Sequence, residues 1–354
     1  MNPVEPVRPA APARPALAGG VASTGPAATP VPTVDPDARP GRRSAVPLAV
    51  AVLVTLGLVV VSLFVGVYDL RAEGGAEIFA ITRVPRTIAL VLAGSAMAVS
   101  GLVLQRLTQN RFVEPTTIGT SEWAGLGLLL SVLLLPTASI ATRMVIASLS
   151  AFVGTMVFMA ILRRIPVRTT LVVPVVGIML GAVVSALTTL VAISTNYLQL
   201  LGTWFMGSFT SVVRGQYEML WVVAAVCAAI FVLADRLTVA GLGREVSTNL
   251  GVRYDRLILV GTALVAVASG VTTVVVGFLP FLGLVVPNVV SLLRGDDLRS
   301  NLPWVCLGGI ALVTVCDIVG RTVRMPFEVP VSMVLGLVGA AAFVALVVRV
   351  QRRG

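Results

Sequence analysis

Apolar runs of about twenty residues, separated by short polar breaks, recur along the chain from position 45 to position 348. A helix over such a run crosses ~30 Å of hydrocarbon. The period-two alternation of a transmembrane β-strand is missing from them. The breaks predict spans at Ala45–Val67, Thr87–Leu107, Thr116–Leu135, Ile140–Leu162, Leu171–Ile193, Glu218–Ala234, Leu257–Gly277, Phe281–Leu293, Leu302–Val319 and Pro330–Val348. The expected fold is therefore all-α, a polytopic integral membrane protein of about ten transmembrane helices. The eighth run is short and carries Pro287. A broken element at membrane depth needs protein or a wet cavity around its backbone. In transporters such elements often line the substrate path; the plainer reading is a re-entrant or peripheral helix.

Residues 1–44 break this pattern. They are rich in Pro and Ala and poor in large apolar side chains, which predicts a disordered tail, cytoplasmic if the first span runs outward. No cleavable signal pattern precedes the first apolar run, which starts after Arg42 and Arg43 and reads as a retained span. The membrane domain is then 45–350.

Composition agrees with the pattern: 57% of residues are hydrophobic and 12% charged, with a mean hydropathy of +0.99. The net charge of +10 comes from 26 basic residues, all arginine. They cluster at the ends of apolar runs, which is the spacing of membrane orientation rather than of nucleic-acid binding. Histidine is absent, which excludes His catalysis and His metal ligands. Cys227, Cys306 and Cys316 fall inside apolar runs and read as small core residues. No Gly-Lys-Ser/Thr phosphate loop is present, so any ATP hydrolysis would belong to another chain. No catalytic residue, metal or cofactor is assigned to this one.

With ten spans and the N-terminus inside, 19 arginines fall on the inner side and 7 on the outer; omitting the eighth span gives 16 and 10. The positive-inside rule thus favours ten. The exceptions cluster. Arg83 and Arg86 lie in "RVPR" before the second span, and Arg321 and Arg324 in "GRTVRMPFEVP" before the last. They read either as helix-end anchors that snorkel to headgroups, or as an electropositive rim that pairs with acidic side chains of a partner. On the inner side the 235–256 loop is long, charged and punctuated by Gly241, Gly243 and Gly251. Arg244–Leu250 suits a short helix stopped by Gly251 in the left-handed conformation. That helix would be a docking element for a soluble subunit, or an interfacial helix with no partner.

Three stretches together resemble one family. "RVPRTIALVLAGSAMAVSGLVLQRLTQNRFVEPTTIGTS" at 83–121, "GFLPFLGLVVPNVVSLLRGDDLRSNLPW" at 277–304 and "CDIVGRTVRMPFEVPVSMVLGLVGAAAFVALVVR" at 316–349 are similar to FecCD-type permease subunits of type II ABC importers for iron-siderophores and cobalamin. The resemblance implies ten transmembrane helices in the bacterial plasma membrane, with both termini cytoplasmic. It also implies a second permease subunit (self or paralogue), two ATPase subunits beneath that hold ATP and Mg, and a substrate-binding protein outside. Arg83 and Arg86 match the family's R-x-P-R arginines and Arg321 a later one, which implies docking to glutamates of the binding protein. Arg324 lies outside that correspondence, and Asp317 is placed to pair with Arg321 at i, i+4. Leu242, Gly243, Glu245, Asn249, Leu250 and Gly251 fall in the segment that contacts the ATPase.

The chain departs from the pattern at Asn110-Arg111-Phe112, where Asn-Pro-Leu is usual, and at Asn288, where His is frequent. The resemblance is nearest to permeases for catecholate and petrobactin-type ferric siderophores, with cobalamin, haem or another metal chelate as alternative cargo. Polar candidates for the pathway are Ser185, Thr188, Thr189, Asn288 and Ser291; their plainer reading is hydrogen bonding within and between helices. Gly94, Ala98 and Gly101 read as close-packing positions. An ion-coupled secondary transporter needs an ionisable group near midplane, and the charges here sit mostly at span ends.

Overall fold

The computed structural model describes residues 46–66, 75–164 and 172–351. The 1–44 tail lies outside the described residues. Every regular element among them is helical. In chain order the helices are α1 (Val46–Phe64), α2 (Gly75–Ile78), α3 (Val84–Leu107), α4 (Thr120–Leu134), α5 (Ile140–Leu162), α6 (Val172–Ser194) and α7 (Leu198–Phe205). They continue with α8 (Trp221–Ala240), α9 (Arg244–Asn249), α10 (Tyr254–Val275), α11 (Leu282–Arg294), α12 (Leu298–Thr322) and α13 (Val331–Gln351). A π-helical turn, Phe79–Arg83, leads into α3. Eight helices are long and apolar enough to cross a membrane, and the shorter apolar helices α4 and α11 complete the ten predicted spans.

Helix α3 is the centre of the bundle: 83% of its apolar window is buried, against 11% for α1 at the periphery. Its small residues make this possible. A Cβ on Gly101 would fall 1.9 Å from the Gly283 carbonyl oxygen, and one on Gly94 would fall 2.7 Å from a Val313 methyl. Ala98 packs against Gly309. Without water to drive association, such backbone-to-backbone contact is what membrane helices exchange for side-chain burial.

Three expectations need correction. The predicted 235–256 loop is shorter, because α8 continues to Ala240 and α10 begins at Tyr254. Asp235 and Arg236 read as a break, yet Ala234, Leu237 and Ala240 keep a buried face turning through it. The third span begins at Thr120 rather than Thr116, since 108–119 is an irregular, largely buried connection. Helix α7 was not expected, and it precedes a further irregular stretch, 206–216.

The eighth run does hold a broken element. At 13 residues, α11 is about 20 Å long at 1.5 Å per residue, too short to cross alone. The chain from Val276 to Phe281 covers the remainder: Val276 and Gly277 close the last turn of α10 onto the Thr272 and Thr273 carbonyls, and beyond them the backbone turns to distant partners. Ser208 N–H donates to the Val276 carbonyl at 2.9 Å. Phe281, held at φ +62°, donates its N–H to Glu114 Oε1 at 2.8 Å. Glu114 is 1% exposed and comes from the 108–119 connection. It thus supplies a carboxyl acceptor at the N-terminus of a half-helix, where a backbone N–H would otherwise lack a partner.

Candidate functional site

Successive spans alternate in direction, so Arg83, Arg86 and Arg321 share one end of the bundle while α9 lies at the other. At the arginine end α3 carries Arg86 into α12, which carries Asp317 and Arg321. Asp317 is fully buried. Arg86 Nη2 lies 2.7 Å from its Oδ1 and Arg321 Nη2 lies 2.6 Å from its Oδ2. Arg86 also reaches Glu328 at 2.9 Å. Arg321 is 5% exposed; it donates to the Ser62 and Val65 carbonyls of the α1 end at 3.0 and 2.8 Å. Arg83 donates to the Leu63 carbonyl at 3.3 Å and to that of Val65. Among the described residues it meets no carboxylate. Among the described residues this cluster sets three guanidiniums against two carboxylates, and exposed Arg324 lies 6.0 Å from the Phe327 ring centroid nearby. Burial alone would raise the Glu328 carboxyl, but the Thr210 hydroxyl and Arg86 outweigh it and hold it below the usual range.

The Asp317–Arg321 pair is therefore present as the i, i+4 spacing predicts. Glu328 was missed, although it stands in the quoted "MPFEVP". Nothing in the sequence tells that it folds back on an arginine 242 positions away.

At the other end, glycines shape α9. Gly243 has φ +99° and Gly251 φ +75°, both costly for a side chain. A Cβ on Gly243 would also strike the Gln109 amide at 2.7 Å. Inside that turn Ser247, fully buried, donates to the Val239 carbonyl at 2.9 Å and to Gly243 at 2.6 Å. Arg244 and Arg163 converge on Asp255 at 3.0 and 3.4 Å. With the helix anchored on one face, its other face is free. Leu242, Val246 and Leu250 recur every four residues, at 59%, 43% and 61% exposure. Glu245 and Asn249 are exposed beside them.

Beside this platform, Arg106 and Arg111 approach Asp296 at 3.3 and 3.8 Å, and Ser291 donates to the same carboxylate. Burial opposes the charge, but Ser291 and the two arginines hold Asp296 below the usual carboxylate range. A polar cavity of about 180 Å³ between α3, α11 and Gly241 contains these groups. Asn288 lines it and donates to the Arg111 and Leu284 carbonyls, both at 2.7 Å. The α6 candidates are elsewhere. Thr188 and Thr189 bond back to the Val184 and Ser185 carbonyls at 2.7 and 2.8 Å, and Ser185 is exposed on the same helix. The structure brings Asn288 and Ser291 together and leaves Ser185, Thr188 and Thr189 apart from them.

A polytopic bundle with a half-helix in its core, one charged end and one protruding short helix is the permease fold of ABC importers. It superposes on a metal-chelate type ABC transporter solved in an inward-facing conformation, with a TM-score of 0.74, 24% identity, and coverage of 86% of this chain and 100% of the other. The chain belongs to the FecCD transport family, which matches residues 48–349. It is 53% identical over 307 residues to the petrobactin import system permease protein FatD of Bacillus anthracis, covering 86% of this chain and 92% of that one. Similarity extends to the petrobactin import permease YclN of Bacillus subtilis, at 39% identity with 82% and 95% covered. It is weaker to the vitamin B12 import permease BtuC of Klebsiella pneumoniae, at 32% with 80% and 86% covered.

Proposed function

We propose that this chain is the membrane permease subunit of an ATP-driven importer for a ferric siderophore of the petrobactin or catecholate type. The observation that carries the cargo is its 53% identity, over most of both chains, to a petrobactin import permease. A ferric siderophore is large, polar and often charged, so hydrocarbon excludes it and a protein path is needed. In this reading the arginine end faces outward and receives the delivery protein. Arg83, lacking a carboxylate partner among the described residues, offers it a charge held only by the Leu63 and Val65 carbonyls. Arg86 and Arg321, tied to Asp317 and Glu328, fix where that charge stands.

The α9 end faces the cytoplasm, with both termini on that side. Arg106, Arg111, Arg163, Arg244 and Arg299 at that end fit the positive-inside rule. There the apolar row Leu242, Val246 and Leu250, flanked by Gly243, Glu245, Asn249 and Gly251, is the contact for an ATPase subunit. A second permease subunit completes the pathway. ATP and Mg act in the ATPase subunits, and closure of these would push α9 and rock the two permeases between access states. Asn288 and Ser291, beside the polar cavity under α3, are the better pathway candidates; Ser185, Thr188 and Thr189 serve their own helix.

The test is uptake of radioiron-labelled ferric petrobactin in a strain lacking its native permease, with and without this gene expressed. Restored, ATP-dependent uptake is expected. Uptake of cobalamin but not of the iron chelate would overturn the cargo.

A further inference from the structure

A second cavity lies at the arginine end, between α5 and α7, with a volume of about 570 Å³. That is the size of a small-molecule site. Its polar lining includes Arg143, Thr203, Trp204, Ser208, Thr210 and Gln216, and no acidic side chain lines it. Apolar side chains, among them Leu128 of α4, Ile140 of α5 and Val274 and Val275 of α10, form much of the remaining wall.

Arg143 is the unusual member. Its Nη2 donates to the Pro136 carbonyl at 3.2 Å, but its Nε is buried and has no partner. No carboxylate among the described residues pairs with it. A buried, unsatisfied donor on a cation is costly unless something supplies an acceptor. The half-buried indole of Trp204 lines the same cavity, and a cavity that offers both a guanidinium and an indole suits an anion that carries aromatic rings. The space is too large for one carboxylate side chain. It is also wired to the docking network: Ser208 and Thr210 hydroxyls lie 2.9 Å apart, and Thr210 donates to Glu328 at 2.6 Å, the carboxylate that holds Arg86.

We propose that this cavity is the first receiving subsite for the iron chelate, with Arg143 pairing to its ionised oxygens and Trp204 stacking on a ring. The proposal rests on the siderophore reading above and adds the place on this chain that first holds the cargo and the two side chains that recognise it.

The test uses the assembled permease–ATPase complex in nanodiscs without delivery protein. Binding of ferric tris-catecholate is read by quenching of tryptophan emission, with a neutral ferric trihydroxamate as control. The wild type should bind the catecholate and discriminate against the hydroxamate. R143Q should weaken binding about tenfold, R143K should restore part of it, and W204F should remove most of the quenching. Thermal melts of the variants separate lost binding from lost folding. Unchanged affinity in a folded R143Q overturns the subsite. So does an R143Q that binds chelate normally but loses affinity for the delivery protein, which would make the cleft a protein-docking surface. A wild type that imports ferric siderophore yet shows no Arg143-dependent binding sinks the subsite alone, whereas one that neither imports nor binds sinks both readings.

Discussion

The two ends of this bundle spend their arginines differently. At one end Arg86 and Arg321 clamp a fully buried Asp317 between α3 and α12, and Arg321 reaches on to the α1 end. At the other, Arg163 and Arg244 share Asp255 with more than half of each side chain in the open. The first arrangement fixes three helices and leaves little of its charge free. The second fixes almost nothing, and what it presents outward is an apolar row. A charged end thus works mainly as a frame, and a polar-looking loop offers the greasier contact.

Breaking the frame should cost most. Asp317→Ala leaves two buried guanidiniums facing each other, so about 3–5 kcal/mol of stability should be lost. Detergent-solubilised protein melting like wild type would show that the clamp is dispensable. The next largest effect is on assembly rather than stability. Replacing Leu242, Val246 and Leu250 together by Ala should leave the melt nearly unchanged but reduce ATPase copurification at least tenfold, as expected for apolar anchors of an interface.

A smaller effect is pH dependence at the arginine end. The folded Glu328 carboxyl is held below its ordinary value, by Thr210 and Arg86 against the opposing effect of burial. Its contribution is present above the ordinary carboxylate range and fades as pH falls through the lowered folded value. Acid melts of E328Q should therefore be flatter than those of wild type over that window. Smallest of all, Asp255→Asn should cost about 0–1 kcal/mol, the worth of an exposed pair. A loss as large as that of Asp317→Ala would erase the contrast between the ends.

Much of this was legible in the chain. Apolar runs gave the spans, because in hydrocarbon each backbone must satisfy itself locally. Glycine punctuation gave α9 and its stop at Gly251, because φ is a local property. The Asp317–Arg321 pair followed from helical spacing. What could not be read depends on distant segments meeting. Glu328 finds Arg86, Glu114 finds Phe281, and Arg143 and Trp204 come to line one cavity only after the bundle forms. Helix α7 hid because it is only eight residues long and no side chain caps its start.

The carboxyl of Glu114 has one more consequence, for biogenesis. The Phe281 N–H at the head of α11 finds its acceptor on a residue synthesised more than 160 positions earlier. Helix α11 cannot settle as an autonomous span; it must wait for the turn after α3 to be in place. The early core thus supplies part of the seat of the late half-helix. A break in the 108–119 turn should be felt as misassembly of the C-terminal third.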